Sequence, residues 1–316
     1  MSFELTILGS NSATPVFNRH QTAQILKIDN EFILIDCGEG TQMQVSRYRF
    51  KLNKINYIFI SHLHGDHYLG LVGLLSTMHL FGRTKELYLY GPPGLSEIIT
   101  TQLRISETIL NYTLIFKELD TEKSEIIEEN KYFTVTTIPL IHRINCCGFL
   151  FKEAPKKHKV RKDLLPDNTP LLTIANLKKG LDILDDDGNM IYRNVDYTIP
   201  PAPSISYAYM SDTAYSEKYL GLVNKVDLLY HESTFLNDMQ SRAKETFHTT
   251  ALEAGNFARL ANVRRLVIGH FSSRYKDLIP LLEEARTKFT NTFLAIEGET
   301  FHINPLDTGV EQNDSK

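Results

Sequence analysis

The chain has 316 residues, 42% of them hydrophobic and 23% charged, with 17 Gly and 12 Pro, a balance that supports a large buried core and excludes collagen, a coiled coil and wholesale disorder. The formal charge is −4 and the pI about 6.3, so no uniform basic field exists and any polyanion has to be met by a local patch. The start, MSFELTILGS, has no basic n-region, no window reaches the ~18 apolar residues of a membrane span, and Cys37, Cys146 and Cys147 show no C-x-x-C spacing. A soluble, unexported protein of the reducing cytoplasm is expected, with no membrane partner.

The first 60 residues read as short β runs divided by turn signals, over Phe3–Leu8, Gln24–Ile28, Phe32–Asp36 and Tyr57–Ile60, with a helix-compatible stretch from Gly40 to Phe50. Several runs are continuously apolar rather than alternating, which predicts strands covered on both faces and layers outside the sheet. A polar, histidine-rich turn follows Ile60. Apolar residues then recur at helical spacing over Tyr68–Phe81, a strand is expected at Leu87–Tyr90, and the Gly91-Pro92-Pro93-Gly94 turn leads into a helix ending at Arg104. Further strands are expected at Thr113–Phe116, Phe133–Ile138 and Cys147–Phe151.

Residues 152–203 interrupt the pattern with many charges, Gly180, Gly188 and six prolines between Pro155 and Pro203, and read as an inserted arm. Six Lys/Arg against one Glu within Lys152–Lys162 give the arm a +5 patch and leave −9 for the rest of the chain. Such a run is either a solvated loop or a contact for a polyanion. The layered pattern resumes with strands at Ser204–Met210, Asp227–Tyr230, Arg265–Ile268 and Thr292–Ile296, and helices near Glu217–Asn224, Thr250–Ala261 and Asp277–Phe289. The expected organisation is one domain over 1–306, interrupted by the arm at 152–203, with a frayed polar tail over 307–316.

Immediately after Ile60 stands Ser61-His62-Leu63-His64-Gly65-Asp66-His67, three imidazoles and a carboxylate within six positions. Composition alone predicts roughly 10⁻³ chance matches to H-x-H-x-D-H in a chain of this length. Histidines crowded this closely repel on protonation unless a cation or carboxylates organise them as neutral ligands. One turn supplies too few donors for a closed site, so further His and Asp are expected where later strands end and loops begin. His142, Asp212 and His270 stand at such ends. Nitrogen and carboxylate donors without thiolate suit Zn2+, with Mn2+, Fe2+ or Co2+ as substitutes. Seven ligands exceed what one tetrahedral ion can use, so two metals bridged by a carboxylate and a water are the economical arrangement. His79, His158 and His302 read as structural or surface groups.

H-L-H-G-D-H with downstream His142, Asp212 and His270 resembles the metallo-β-lactamase superfamily over nearly the whole chain. The resemblance implies an α/β (α+β) fold, a four-layer αββα sandwich with a dinuclear metal site along one edge. More narrowly, Asp36-Cys37-Gly38-Glu39-Gly40-Thr41-Gln42, His231-Glu232-Ser233-Thr234-Phe235, His248 and Gly269-His270-Phe271-Ser272-Ser273-Arg274-Tyr275 are similar to motifs of the ribonuclease Z family, endonucleases that remove the 3′ trailer from precursor tRNA. Thr14-Pro15 with Arg19 resembles part of that family's substrate-reading loop.

By position, the resemblance implies two Zn2+ per chain, one held by His62, His64 and His142, the other by Asp66, His67 and His270, with Asp212 bridging. Asp66 would orient the nucleophile or accept its proton, and His248, held by Glu232, would be the general acid for the leaving oxygen. His231 could equally give support from behind, donating to a metal-bound carboxylate. The resemblance further implies a homodimer, a tRNA-gripping arm acting through Lys156, Lys157, Lys159, Arg161 and Lys162, and substrate contacts at Arg19 and Arg274. Three positions depart from the family pattern: Met210-Ser211-Asp212-Thr213 where Ser-Gly-Asp-Thr is expected, His20 where Asn follows the Arg, and Asp167-Asn168-Thr169-Pro170-Leu171 at the arm tip without a Gly-Pro step. The alternative enzyme is a small-ester phosphodiesterase or arylsulfatase-like hydrolase using the same metals. A non-catalytic RNA-binding protein is the reading from another class, and the intact ligand set argues against it.

Overall fold

In the strand Phe3–Gly9 the apolar run divides by side, Leu5 and Ile7 packing into one core and Leu8 into another. The same alternation separates Ile33 and Ile35 from Leu34, and Phe59 from Ile58 and Ile60. A side-chain period of two on strands that are apolar at nearly every position puts hydrocarbon on both faces, and both then have to be covered. The computed structural model describes residues 2–304, and the tail expected over 307–316 lies outside them.

Outside the arm, that cover makes four layers. One seven-stranded sheet runs, edge to edge, Thr300–His302, Phe3–Gly9, Ala23–Ile28, Glu31–Ile35, Ile55–Phe59, Leu87–Gly91, Leu114–Glu118. The other runs Thr292–Leu294, Leu266–Gly269, Leu228–Glu232, Ser206–Met210, Cys147–Glu153, Phe133–Pro139, Ile126–Glu129. Between the sheets Phe59, Phe149, Phe151, Tyr207 and Tyr209 interdigitate in one core, onto whose far side the helix Ala251–Leu260 adds Ala254, Phe257 and Ala258. The outer face of the first sheet forms a second core with Leu74, Leu75 and Met78 of the helix Leu71–Leu80 and with Leu95 and Ile99 of Leu95–Ile105.

Glu153–Ser204 is a compact unit of its own. Its elements are short: a helix Leu171–Lys178, a hairpin of Ile183–Leu184 with Met190–Tyr192, a turn of helix Asn194–Tyr197, and the pair Lys159–Val160 with Thr198–Ile199. Hydrogen bonds hold what little interior it has. Buried Asn194 donates through Nδ2 to the Leu177 carbonyl at 2.6 Å, and Thr198 Oγ1 donates to Asn194 Oδ1 at 2.7 Å. At the tip, where a Gly-Pro step was expected, Pro170 instead leads into the helix Leu171–Lys178.

One local expectation changes, and three elements come in addition to those expected. Glu217–Asn224 forms a single 3-10 turn, Glu217–Tyr219, followed by turns, because Gly221 interrupts a segment too short to hold a helix against it. The helix Gln240–Thr246 buries Ala243 alone, so no apolar stripe announced it. The edge strands Ile126–Glu129 and Thr300–His302 are short and partly charged, and pairing with neighbours rather than their own pattern makes them strands. No helix among the described residues is long and apolar enough to cross a membrane.

Candidate metal centre

The cluster assembles at one end of the sheets because parallel strands deliver their following loops to the same edge. Ile55–Phe59 leads into His62, His64, Asp66 and His67, the last two on the helical turn Gly65–Tyr68. Ser206–Met210 leads into Asp212, Leu228–Glu232 ends on Glu232, and Leu266–Gly269 leads into His270. The antiparallel strand Phe133–Pro139 brings His142 to the same place. The backbone bends sharply there: Asp36 and His270 adopt φ of 54° and 59°, left-handed conformations that surrounding contacts have to enforce. Gly269 is required before His270, since a Cβ there would lie 2.3 Å from the Tyr230 hydroxyl.

The seven side chains form two converging sets. In the first, His64 Nδ1 lies 3.0 Å from both His62 Nε2 and His142 Nε2, and Asp212 Oδ2 lies 3.6 Å from His62 Nε2 and 3.8 Å from His142 Nε2. In the second, His270 Nε2 is 3.4 Å from His67 Nε2 and 3.3 Å from Asp66 Oδ2, while Asp212 Oδ1 is 3.1 Å from His270 Nε2 and 3.4 Å from His67 Nε2. Asp212 therefore faces both sets, one oxygen to each. These separations are close to the ~3.3 Å edge of a tetrahedron with metal bonds of about 2.0–2.1 Å.

Whether the donors fit cations is decided by their other atoms. The far nitrogen of four of the rings has an oxygen beside it: Ser61 Oγ at 3.0 Å from His62 Nδ1, Asp36 Oδ2 at 2.7 Å from His67 Nδ1, the Phe247 carbonyl at 3.1 Å from His142 Nδ1 and Thr234 Oγ1 at 3.0 Å from His270 Nδ1. In the neutral ring, a hydrogen bond donated outward from each of those nitrogens leaves a lone pair on the nitrogen that faces the cluster. Asp212 Oδ1 is buried without a hydrogen-bond partner. Lone pairs and a bare carboxylate oxygen converging in a buried space are a cation's donor set. Electrostatics agree. Burial, with His67 next, holds His62 well below the usual imidazole range, and burial lowers His64 and brings His142 down to about 4. His67 behaves oppositely: burial opposes its charge, but Asp212, Asp66 and Asp36 hold it well above that range, a positive charge where a metal would otherwise supply one.

The supporting network was the part not read from the sequence. Asp36, fully buried, accepts from Ser61 N at 2.7 Å, Ser61 Oγ at 2.9 Å, the Tyr209 hydroxyl and His67. Ser211, which departs from the family pattern, sits 3.0 Å from Ser61 Oγ and joins the same network. Asp36 belonged to a recognised motif, but only the facing of the two sheets shows its partners. His20, the second departure, pairs its Nδ1 with Glu297 at 3.0 Å, and Gln44 holds the same carboxylate.

Glu232, fully buried, is a second hub. Its Oε1 accepts from Thr213 N at 3.1 Å, Thr249 N at 3.0 Å and His248 Nδ1 at 3.0 Å, and its Oε2 accepts from Thr234 N at 3.0 Å and Thr234 Oγ1 at 2.8 Å. Burial works against the charge on His248, yet Glu232 raises it to about 9. Because an amide has two donors where the carboxylate has acceptors, Glu232→Gln is expected to lower stability by about 1–3 kcal/mol and to lower kcat as His248 loses its anchor; a melting curve and steady-state kinetics check both.

The remaining candidates are placed differently. Arg19 spends its guanidinium on the chain, donating to the Tyr275 and Lys276 carbonyls and to Asn11 Oδ1, and so pins its loop. Arg274 is exposed and lies 5.9 Å over the Phe235 ring. In the arm, Lys157, Lys159, Arg161 and Lys162 are exposed, whereas Lys156 is paired with Glu153 at 2.9 Å. His231 packs against Phe257 with its Nδ1 donating to the Glu232 carbonyl at 2.7 Å. His79 Nδ1 accepts from Asn111 N at 3.0 Å, a structural contact.

Two facing sheets with outer helices and a His/Asp cluster at one strand edge define a hydrolase of the metallo-β-lactamase fold, and the fold recurs, at 17% identity and a TM-score of 0.68, in the metallo-β-lactamase fold protein YhfI of Bacillus subtilis, with 95% of this chain and 98% of that one covered. The particular family is ribonuclease Z, to which the chain belongs: it is 52% identical to ribonuclease Z of Cytophaga hutchinsonii over 96% of this chain and 97% of that protein. The human tRNase Z, short form, superposes with a TM-score of 0.70 at 27% identity, covering 95% of this chain and 99% of that one. A family model described as anti-Pycsar protein Apyc1 also matches, over residues 3–175, just over half of the chain. That match ends before Asp212, Glu232, His248 and His270, which the full-length similarity to ribonuclease Z includes.

Proposed function

We propose that the chain is a metal-dependent endoribonuclease that removes the 3′ trailer from precursor tRNA, working as a cytoplasmic homodimer with two zinc ions per protomer. The observation that carries it is the two-sided use of Asp212, with His62 and His142 facing one of its oxygens and His67 and His270 the other. His62, His64 and His142 would hold one ion, Asp66, His67 and His270 the other, and Asp212 would bridge. When bound, the ions supply Lewis acidity to water and to the phosphodiester.

The residues do the rest. Asp66 orients the attacking water and takes its proton. Glu232 occupies His248 Nδ1, so Nε2 is the atom from which His248 donates a proton to the leaving oxygen as the P–O bond breaks. The Asp36 and Thr234 contacts hold His67 and His270 in the ligating tautomer throughout. Elemental analysis of the purified protein should find about two zinc ions per chain, and full activity in metal-free protein would overturn the reading.

The arm distinguishes tRNA cleavage from small-ester hydrolysis. Replacing Lys156, Lys157, Lys159, Arg161 and Lys162 with Ala should raise KM for precursor tRNA and flatten its salt dependence, each lost phosphate contact removing close to ~0.9 of slope on duplex. Hydrolysis of a small chromogenic phosphodiester, which has no further phosphates to contact, should not change. Equal loss on both substrates would make the patch a support for the fold, and no loss on either would favour the small-ester hydrolase.

A further inference from the structure

Beside His248 lies a cavity of about 490 Å³ that the mechanism above does not use, a volume within the ~300–1,000 Å³ of small-ligand sites. His248 is common to the cavity and the cluster: the ring that lines the cavity is also 5.4 Å, centroid to centroid, from each of His142 and His270. Lys244 and Lys288 line the cavity, both exposed and neither in an ion pair among the described residues. Asn237 also lines it, and its Oδ1 is closed to solvent without a hydrogen-bond partner. Tyr215 adds an aromatic ring whose hydroxyl is fixed between Asn256 Nδ2 at 2.9 Å and Glu217 Oε1 at 3.0 Å.

We propose that this cavity is a nucleoside subsite for the nucleotide that carries the leaving oxygen, with Lys244 and Lys288 holding the phosphate next along the strand. The inference rests on the ribonuclease reading above. A proton passed from His248 reaches an oxygen that is still bonded to a ribose, so that ribose and its base lie against His248, whose ring also lines the cavity. The lining suits such a guest. An immobilised ring offers any base a stacking face, a contact that changes affinity about 5–150-fold per base. Two free ammonium groups at the rim meet phosphate.

Kinetics on precursor tRNA with the intact protein test the subsite. The wild-type protein has to cleave the precursor; if it does not, the ribonuclease reading and the subsite fall together. Given cleavage, Lys244→Ala combined with Lys288→Ala should raise KM about tenfold or more and reduce the salt slope of kcat/KM by about 0.7–0.9 with little change in kcat. Tyr215→Ala should lower kcat/KM on intact precursor and lose that effect on one of two abasic precursors. Loss of the effect with the base missing at the last tRNA position places the tRNA end in the cavity, and loss with the base missing at the first trailer position places the trailer there. An unaltered KM and slope in the double lysine variant, or a Tyr215→Ala effect equal on intact and both abasic precursors, would overturn the subsite and leave the ribonuclease reading standing.

Discussion

Asp66→Ala should abolish precursor cleavage, with kcat/KM down by at least about 10⁴, while the far-UV circular dichroism stays that of the wild type. The proposed function gives the carboxylate two roles at once. Its Oδ2 faces His270 Nε2 at 3.3 Å and His67 Nε2 at 3.6 Å, so removing it takes a donor from one ion's set, a loss greater than the ~10–100-fold that an outer support costs. In the proposed mechanism it also takes the nucleophile's proton, and acid–base groups contribute about 10²–10⁴-fold. The burial of Asp66 is local to the cluster, and the one backbone contact its side chain makes, from Ala13 N at 2.7 Å, belongs to a loop. The fold therefore survives its loss. A variant with near-normal kcat and its full metal content would show that Asp66 has neither role.

His248→Ala is the second large effect and has a different signature. His248 is held through Nδ1 by Glu232, and that carboxylate keeps the ring cationic at neutral pH, raised to about 9 against the effect of burial. The ring is not needed to complete either converging set. The substitution should therefore leave zinc content and tRNA affinity unchanged while kcat falls about 10²–10⁴-fold. Metal analysis and a binding isotherm beside the kinetics separate the outcomes. A fall in zinc content that tracks the fall in activity would make His248 a ligand, consistent with its nearness to Asp212 and His270, and would remove it as the proton donor.

The H-x-H-x-D-H turn was readable because its four donors sit within six residues, so their proximity is a property of the chain before it folds. The layers were readable for a similar reason: strands such as Phe3–Gly9 that are apolar on both faces require cover on both, whatever supplies it. Residues 152–203 stand out by charge and proline content. Which hydroxyl lies under which ligand was not readable. Tyr209 meets Asp36 only because the sheet containing Ser206–Met210 packs on the one that precedes Asp36, 173 positions away in the chain. The His248 cavity likewise draws on Tyr215, Asn237, Lys244 and Lys288, which share no periodicity and carry no motif. Local spacing encodes donors that are neighbours along the chain, whereas supports and cavities depend on the register and packing of distant strands, a cooperative outcome of burying both cores at once that no single segment records.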